Sequence, residues 1–120
     1  MTSQTYLIEM NFAPFGSLLS PAEAAGFMER TVLPTLEACE KLQESGRILA
    51  GGTALGAGGF AFIIRVDSPA ELEEAVAGLP LWPRSQTRVL PLGTFSARAA
   101  TARKRLTAAK AQLEAAAARN

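Results

Sequence analysis

The chain has 120 residues, 48% hydrophobic and 19% charged, with a formal net charge of +1 at pH 7; that length suits one domain, and so balanced a charge argues against a nucleic-acid partner. Histidine is absent and Cys39 is the sole cysteine, which excludes intrachain disulfides, the usual zinc sites and every histidine-based triad. The start lacks the basic and apolar pattern of a secretory signal, so a cytoplasmic protein is expected.

Thr5 to Phe12 alternates as a strand, with Tyr6, Ile8, Met10 and Phe12 on one face and Leu7, Glu9 and Asn11 on the other. After the turn-rich Ala13-Pro14-Phe15-Gly16, the run Ser20-Pro21-Ala22-Glu23 offers an N-cap, a proline at the first helical position and a glutamate three residues after the cap. The helix that starts there can run to about Ser45, with Gly46 as its stop and Met28, Val32, Leu36, Cys39 and Leu42 as its buried stripe. Cys39 reads as packing rather than as a reactive thiol. Pro34 lies inside this helix and predicts a kink or break near Glu29 to Leu33.

Arg47 to Leu55 and Phe60 to Val66 read as two strands of a hairpin joined by Gly56-Ala57-Gly58-Gly59. Those glycines match a loose dinucleotide-binding pattern, but that pattern must open a helix and here a strand follows. The uncharged stretch from Ile48 to Ile64 is also shorter than the roughly 20 apolar residues of a membrane helix, so no membrane partner is expected. In the second strand Phe60, Phe62, Ile64 and Val66 share one face, and Ala61, Ile63 and Arg65 the other. Ser68-Pro69-Ala70-Glu71 repeats the helix-start signal, and Leu72, Ala75, Val76 and Leu79 supply the buried side, with Gly78 and Pro80 near the end. Gln86 to Phe95 is the last strand, and Pro91 within it suits a sheet edge.

The order strand, helix, strand, strand, helix, strand is that of a ferredoxin-like α+β domain over residues 1–97, a four-stranded antiparallel sheet with both helices on one face. Its other face, with Leu7, Glu9, Asn11, Ile63 and Arg65, is half apolar and calls for a second sheet, giving a dimeric α+β barrel. Residues 98–120 change to Ala, Arg and Lys. There Ala99, Ala102, Leu106, Ala109, Leu113 and Ala116 repeat every three and four residues as a coiled-coil-like seam, which predicts a helix for docking on another subunit. Arg98, Arg103, Lys104, Arg105, Lys110 and Arg119 oppose only Glu114, a pattern that reads first as a solvated helix face, with an acidic partner or nucleic acid as the alternative.

Acid–base chemistry in this chain must come from carboxylates, Lys, Arg, Tyr or water. Glu9, mid-strand among apolar residues, is the candidate catalytic group, because a carboxyl enclosed between two sheets is suited to carry a proton. The alternative is a structural ion pair with Arg65 or Arg88. Either arginine could bind a substrate carboxylate, and Asn11 could assist. Trp82, in the rigid corner Leu79-Pro80-Leu81-Trp82-Pro83, can cap the core or line a pocket.

That Leu-Pro-Leu-aromatic-Pro corner leads into the last strand. With Tyr6-Leu7-Ile8-Glu9-Met10, Gly46-Arg47-Ile48-Leu49 and Ser68-Pro69-Ala70-Glu71-Leu72, it makes the chain resemble the muconolactone isomerase family over roughly Tyr6 to Phe95. The resemblance implies barrel dimers assembled into larger rings. It also implies movement of a double bond in a small unsaturated lactone by proton abstraction and return, with no metal or organic cofactor. The isomerases carry a basic side chain where Glu9 stands here. Three functions follow for comparison: a cofactor-free isomerase using Glu9 with Arg65 or Asn11 holding an anion, a cofactor-free monooxygenase or cyclase with an aromatic-lined cavity, and a non-catalytic binding or assembly protein.

Overall fold

The computed structural model describes residues 3–12, 20–55 and 58–119. The strands are β1 (Gln4–Phe12), β2 (Ile48–Thr53), β3 (Gly59–Val66) and β4 (Ser85–Leu92). They form one antiparallel sheet in the order β2-β3-β1-β4. The α-helices are α1 (Pro21–Phe27), α2 (Leu33–Glu44), α3 (Pro69–Ala77) and α4 (Phe95–Arg119). This is the ferredoxin-like arrangement followed by a C-terminal helix. Residues 56–57 of the turn between β2 and β3, and residues 13–19 between β1 and α1, lie outside the described residues.

Both helix starts form from local chemistry. The Ser20 hydroxyl accepts the Glu23 amide while the Glu23 carboxylate accepts the Ser20 amide, and this pairing holds the Glu23 carboxyl below its ordinary pKa. The Ser68 hydroxyl accepts the Glu71 amide in the same way. Pro34 breaks the first helical run as its sequence requires, and the break is a π-helical turn over Met28–Val32. There the Leu33 amide reaches back to the Met28 carbonyl, and the chain gains one residue before α2 begins. That extra residue turns the upstream stretch by about 100° relative to an uninterrupted helix. The expected stripe is therefore correct downstream, where Cys39 and Leu42 pack on the core, and wrong upstream: Met28 is 49% exposed, and Phe27 packs on the core instead. Gly46, at φ +83°, closes the run where an L side chain would be strained.

The core lies between the sheet and α2 and α3. Ile8 and Met10 from β1 meet Phe60, Phe62, Ile64 and Val66 from β3, and Val76, Leu79 and Leu81 close it from above. In the rigid corner Leu79 and Leu81 are the buried residues, whereas Trp82 is 37% exposed and does not cap the core. A second correction concerns the last strand, which ends at Leu92; Phe95 begins α4 and stands in solvent.

One buried polar side chain joins the helical layer to this corner. Thr35 is fully buried in α2, where its hydroxyl donates to the Thr31 carbonyl at 2.8 Å and accepts the Leu81 amide at 3.0 Å. A Thr35→Val variant keeps the shape and strands the Leu81 amide, at a cost of about 1–3 kcal/mol. Urea unfolding should show that loss, with Thr35→Ser near the native midpoint; equal stability of the valine variant would show that the hydrogen bond contributes nothing.

Candidate functional site

Alternation along β1, β3 and β4 splits the sheet into a face under the helices and an uncovered face. The antiparallel register arranges the uncovered face in cross-strand rows. Thr5 lies opposite Arg65 and Leu92, and Leu7 opposite Ile63 and Leu90. Glu9 lies opposite Ala61 and Arg88, and Asn11 opposite Gly59 and Gln86. On β2, Gly52 extends the Glu9 row beyond Ala61. The row through Leu7 is apolar, the row through Thr5 mixes Leu92 with Thr5 and Arg65, and the last two are polar.

The row through Glu9 holds the chemistry. On its β4 side Glu9 has Arg88 as direct cross-strand partner, with side-chain roots about 5 Å apart. On its β3 side Ala61 and Gly52 leave room above the sheet. Glu9 is half-buried, while Arg88 and Asn11 are exposed. Among the described residues no ion pair within 4.0 Å joins Glu9 to Arg88; a salt bridge forms away from this row, between Arg47 and Glu71 of α3 at 2.8 Å.

The candidate residues thus separate into two groups. Glu9, Asn11 and Arg88 share one end of the uncovered face. Arg65 is on that face but opposite Thr5, four residues and roughly 13 Å along the strands from the Glu9 row, so it is not the cross-strand partner of Glu9. Trp82 is outside the sheet, in a 3₁₀ turn over Trp82–Arg84. Gln86, beside Asn11, had no sequence signal of its own, because it becomes visible only once the β1–β4 register is known.

A second concavity lies on the other side of the sheet. A cavity of about 220 Å³ opens between α2 and β2, lined by Leu36, Cys39, Gln43, Gly52, Phe60 and Phe62 among others. Gly51 beside it has φ +149°, and a methyl group there would collide with Phe62. Glycines at this edge leave the cavity without a side-chain cover. No group of three or more potential ligands for a metal ion occurs among the described residues, and none of the described helices is long and apolar enough to cross a membrane.

Compared with known proteins, the chain matches the family model described as muconolactone delta-isomerase over residues 6–98, which takes in the sheet from Tyr6 onward and its covering helices. No curated protein matches it.

Cys39, in the wall of the cavity, has its thiol pushed up from the ordinary value by burial, which strips water from the thiolate. The stability it contributes is present below the ordinary thiol value and is lost as the pH rises through the raised one. Iodoacetamide at pH 8 should therefore label native Cys39 more slowly than the urea-unfolded chain, as read by intact mass. Equal rates would show an open thiol.

Proposed function

The chain belongs to the muconolactone delta-isomerase family, and from that premise we propose that it is a cofactor-free isomerase that moves a proton and a double bond in a small unsaturated lactone or acid on its uncovered sheet face. The observation that carries this reading is the Glu9 row: a half-buried carboxylate with a guanidinium directly across on one strand and only Ala61 and Gly52 on the other side. Facing sheets pack about 10 Å apart, so pairing of two such faces would enclose that row in a chamber with little water. The apolar row of Leu7, Ile63 and Leu90, with Leu92 in the row beside it, supplies the contact that such pairing needs.

In this reading the Glu9 carboxylate removes a proton from a carbon conjugated to the substrate carbonyl. The electron pair delocalises through the unsaturated system onto oxygen, and the protonated Glu9 returns the proton at the other end, so that the double bond moves with no net change in protons or electrons. Arg88 binds the substrate's carboxylate and offsets the charge of the delocalised anion, and Asn11 and Gln86 offer hydrogen bonds at the polar end. Arg65 and Trp82 act in this reading only if a facing subunit brings them over the Glu9 row. The strands present no aromatic ring on this face, which weighs against an aromatic-lined oxygenase or cyclase chamber.

Two substitutions test the assignment, read by proton-to-deuterium exchange on a panel of unsaturated lactones and enones. Glu9→Gln keeps the shape and removes the base, and exchange should fall by about 10²- to 10⁴-fold. Absence of exchange in the native protein, or full activity in the variant, would remove Glu9 from the base role. Arg88→Met should raise KM for acidic substrates by about 10- to 150-fold, as expected for a lost charge-assisted hydrogen bond, and change KM little for neutral lactones.

A further inference from the structure

The helix α4 runs for 25 residues, about 37 Å, and all but one of its described side-chain positions are exposed. The molecule accordingly measures 79 × 35 × 22 Å, and α4 lies almost wholly beyond the residues that match the family. The seam of Ala99, Ala102, Leu106, Ala109, Leu113 and Ala116 occupies the a and d positions of a heptad. On that frame Arg98, Arg105 and Arg119 take g positions and Arg103 and Lys110 take e positions. Basic residues therefore flank the seam on both sides, and Glu114 is away from the flanks. Two α4 helices paired along this seam would set cation against cation in either orientation, so the charge pattern works against pairing of α4 with itself.

The opposite charge is on the helices that cover the sheet. Glu23, Glu29, Glu37, Glu40 and Glu44 along the first helical run, with Glu71, Glu73 and Glu74 on α3, oppose only Arg30 and Lys41. Between α2 and α3 is a groove of about 580 Å³, with Ala38, Leu42, Ala75 and Leu79 in its lining. Glu71 and Glu74 line it as well, as do Lys41 and Arg47, the latter already paired with Glu71. The residues that line it on the α2 side run from Ala38 to Ser45, about 12 Å, the length of the stretch of α4 from Arg103 to Lys110, which carries the flanking cations Arg103, Arg105 and Lys110. Alanines on that stretch allow close approach of the helix axis, and Leu106 supplies the bulk to fill the groove.

We propose that α4 of one copy docks across the α2–α3 groove of a second copy, its basic flanks against the carboxylates of that helical layer. This surface is separate from the sheet face, and the two contacts can coexist in one assembly.

Charge reversal in the full-length chain tests this, with circular dichroism confirming the fold and light scattering after size exclusion in about 100 mM salt giving the mass. One variant carries Arg103→Glu, Arg105→Glu and Lys110→Glu; the other carries Glu37→Lys, Glu44→Lys and Glu74→Lys. Each alone should fall below the native mass, and an equimolar mixture should regain it, because each variant's α4 then meets an oppositely charged helical layer on the other. Native mass in the α4 variant overturns the proposal. A mixture that stays at low mass also overturns it, as expected if α4 folds onto its own subunit. So does an α4 variant of unchanged mass that has lost binding to a DNA duplex or to phosphatidylserine vesicles, since α4 would then serve a different partner.

Discussion

The antiparallel register that holds β1 between β3 and β4 is the constraint on which the site depends. A strand presents alternate residues to opposite faces, so a slip by one residue would move Ile8 and Met10 out of the core and Glu9 into it. Ile8 and Met10 are fully buried beneath the helices, and their burial fixes the register far more strongly than any interaction on the other face could. Glu9 is thus held in place by its neighbours in sequence, and Arg88 by the pairing of β4 with the same strand. The polar row needs no network of its own to be positioned.

How much of this was legible in the sequence follows from the range of the interactions involved. The starts at Ser20 and Ser68 were readable because a cap involves three or four consecutive residues, and the faces of β1 and β3 because a period of two survives any tertiary detail. The facing of Arg88 was not, since Pro91 obscures the alternation of β4 and only pairing with β1 settles which residues are opposite Glu9. Arg65 illustrates the converse: it shares the face of Glu9, as its parity requires, but the distance along the strand depends on where the hairpin closes. Thr35 was missed because a threonine beside an apolar stripe looks like a surface residue until the Leu81 amide is seen to need a partner. The break at Pro34 was legible, but its form was not, and a single inserted residue was enough to exchange Met28 for Phe27 at the core.

The helical layer has two roles that its sequence keeps apart. Its inner side supplies Thr35, Leu42, Leu72 and Val76 to hold the corner and the sheet, while its outer side concentrates carboxylates. The Phe27 ring, brought inward by the π turn, carries the Arg84 guanidinium 5.6 Å from its centroid and ties the first helix to the turn that leads into β4. The break in the helix and the rigid corner are therefore joined at two points, Phe27 to Arg84 and Thr35 to Leu81. Arg84 shares a concavity with Asn11 and Gln86, whereas the Thr35 contact acts on the polar row by fixing where β4 begins.

The two outer strands of the sheet differ from its centre in a way that governs growth. An exposed edge with a continuous ladder of backbone donors and acceptors invites strand addition from another chain and, with it, fibrous aggregation. β4 carries Pro91, which has no amide hydrogen to give to an incoming strand, and β2 is interrupted by an irregular register between Ile48 and Ala50 followed by two glycines. Neither edge offers a long regular template, so recruitment of further strands into this sheet is discouraged on both sides while its broad surface remains open to contact.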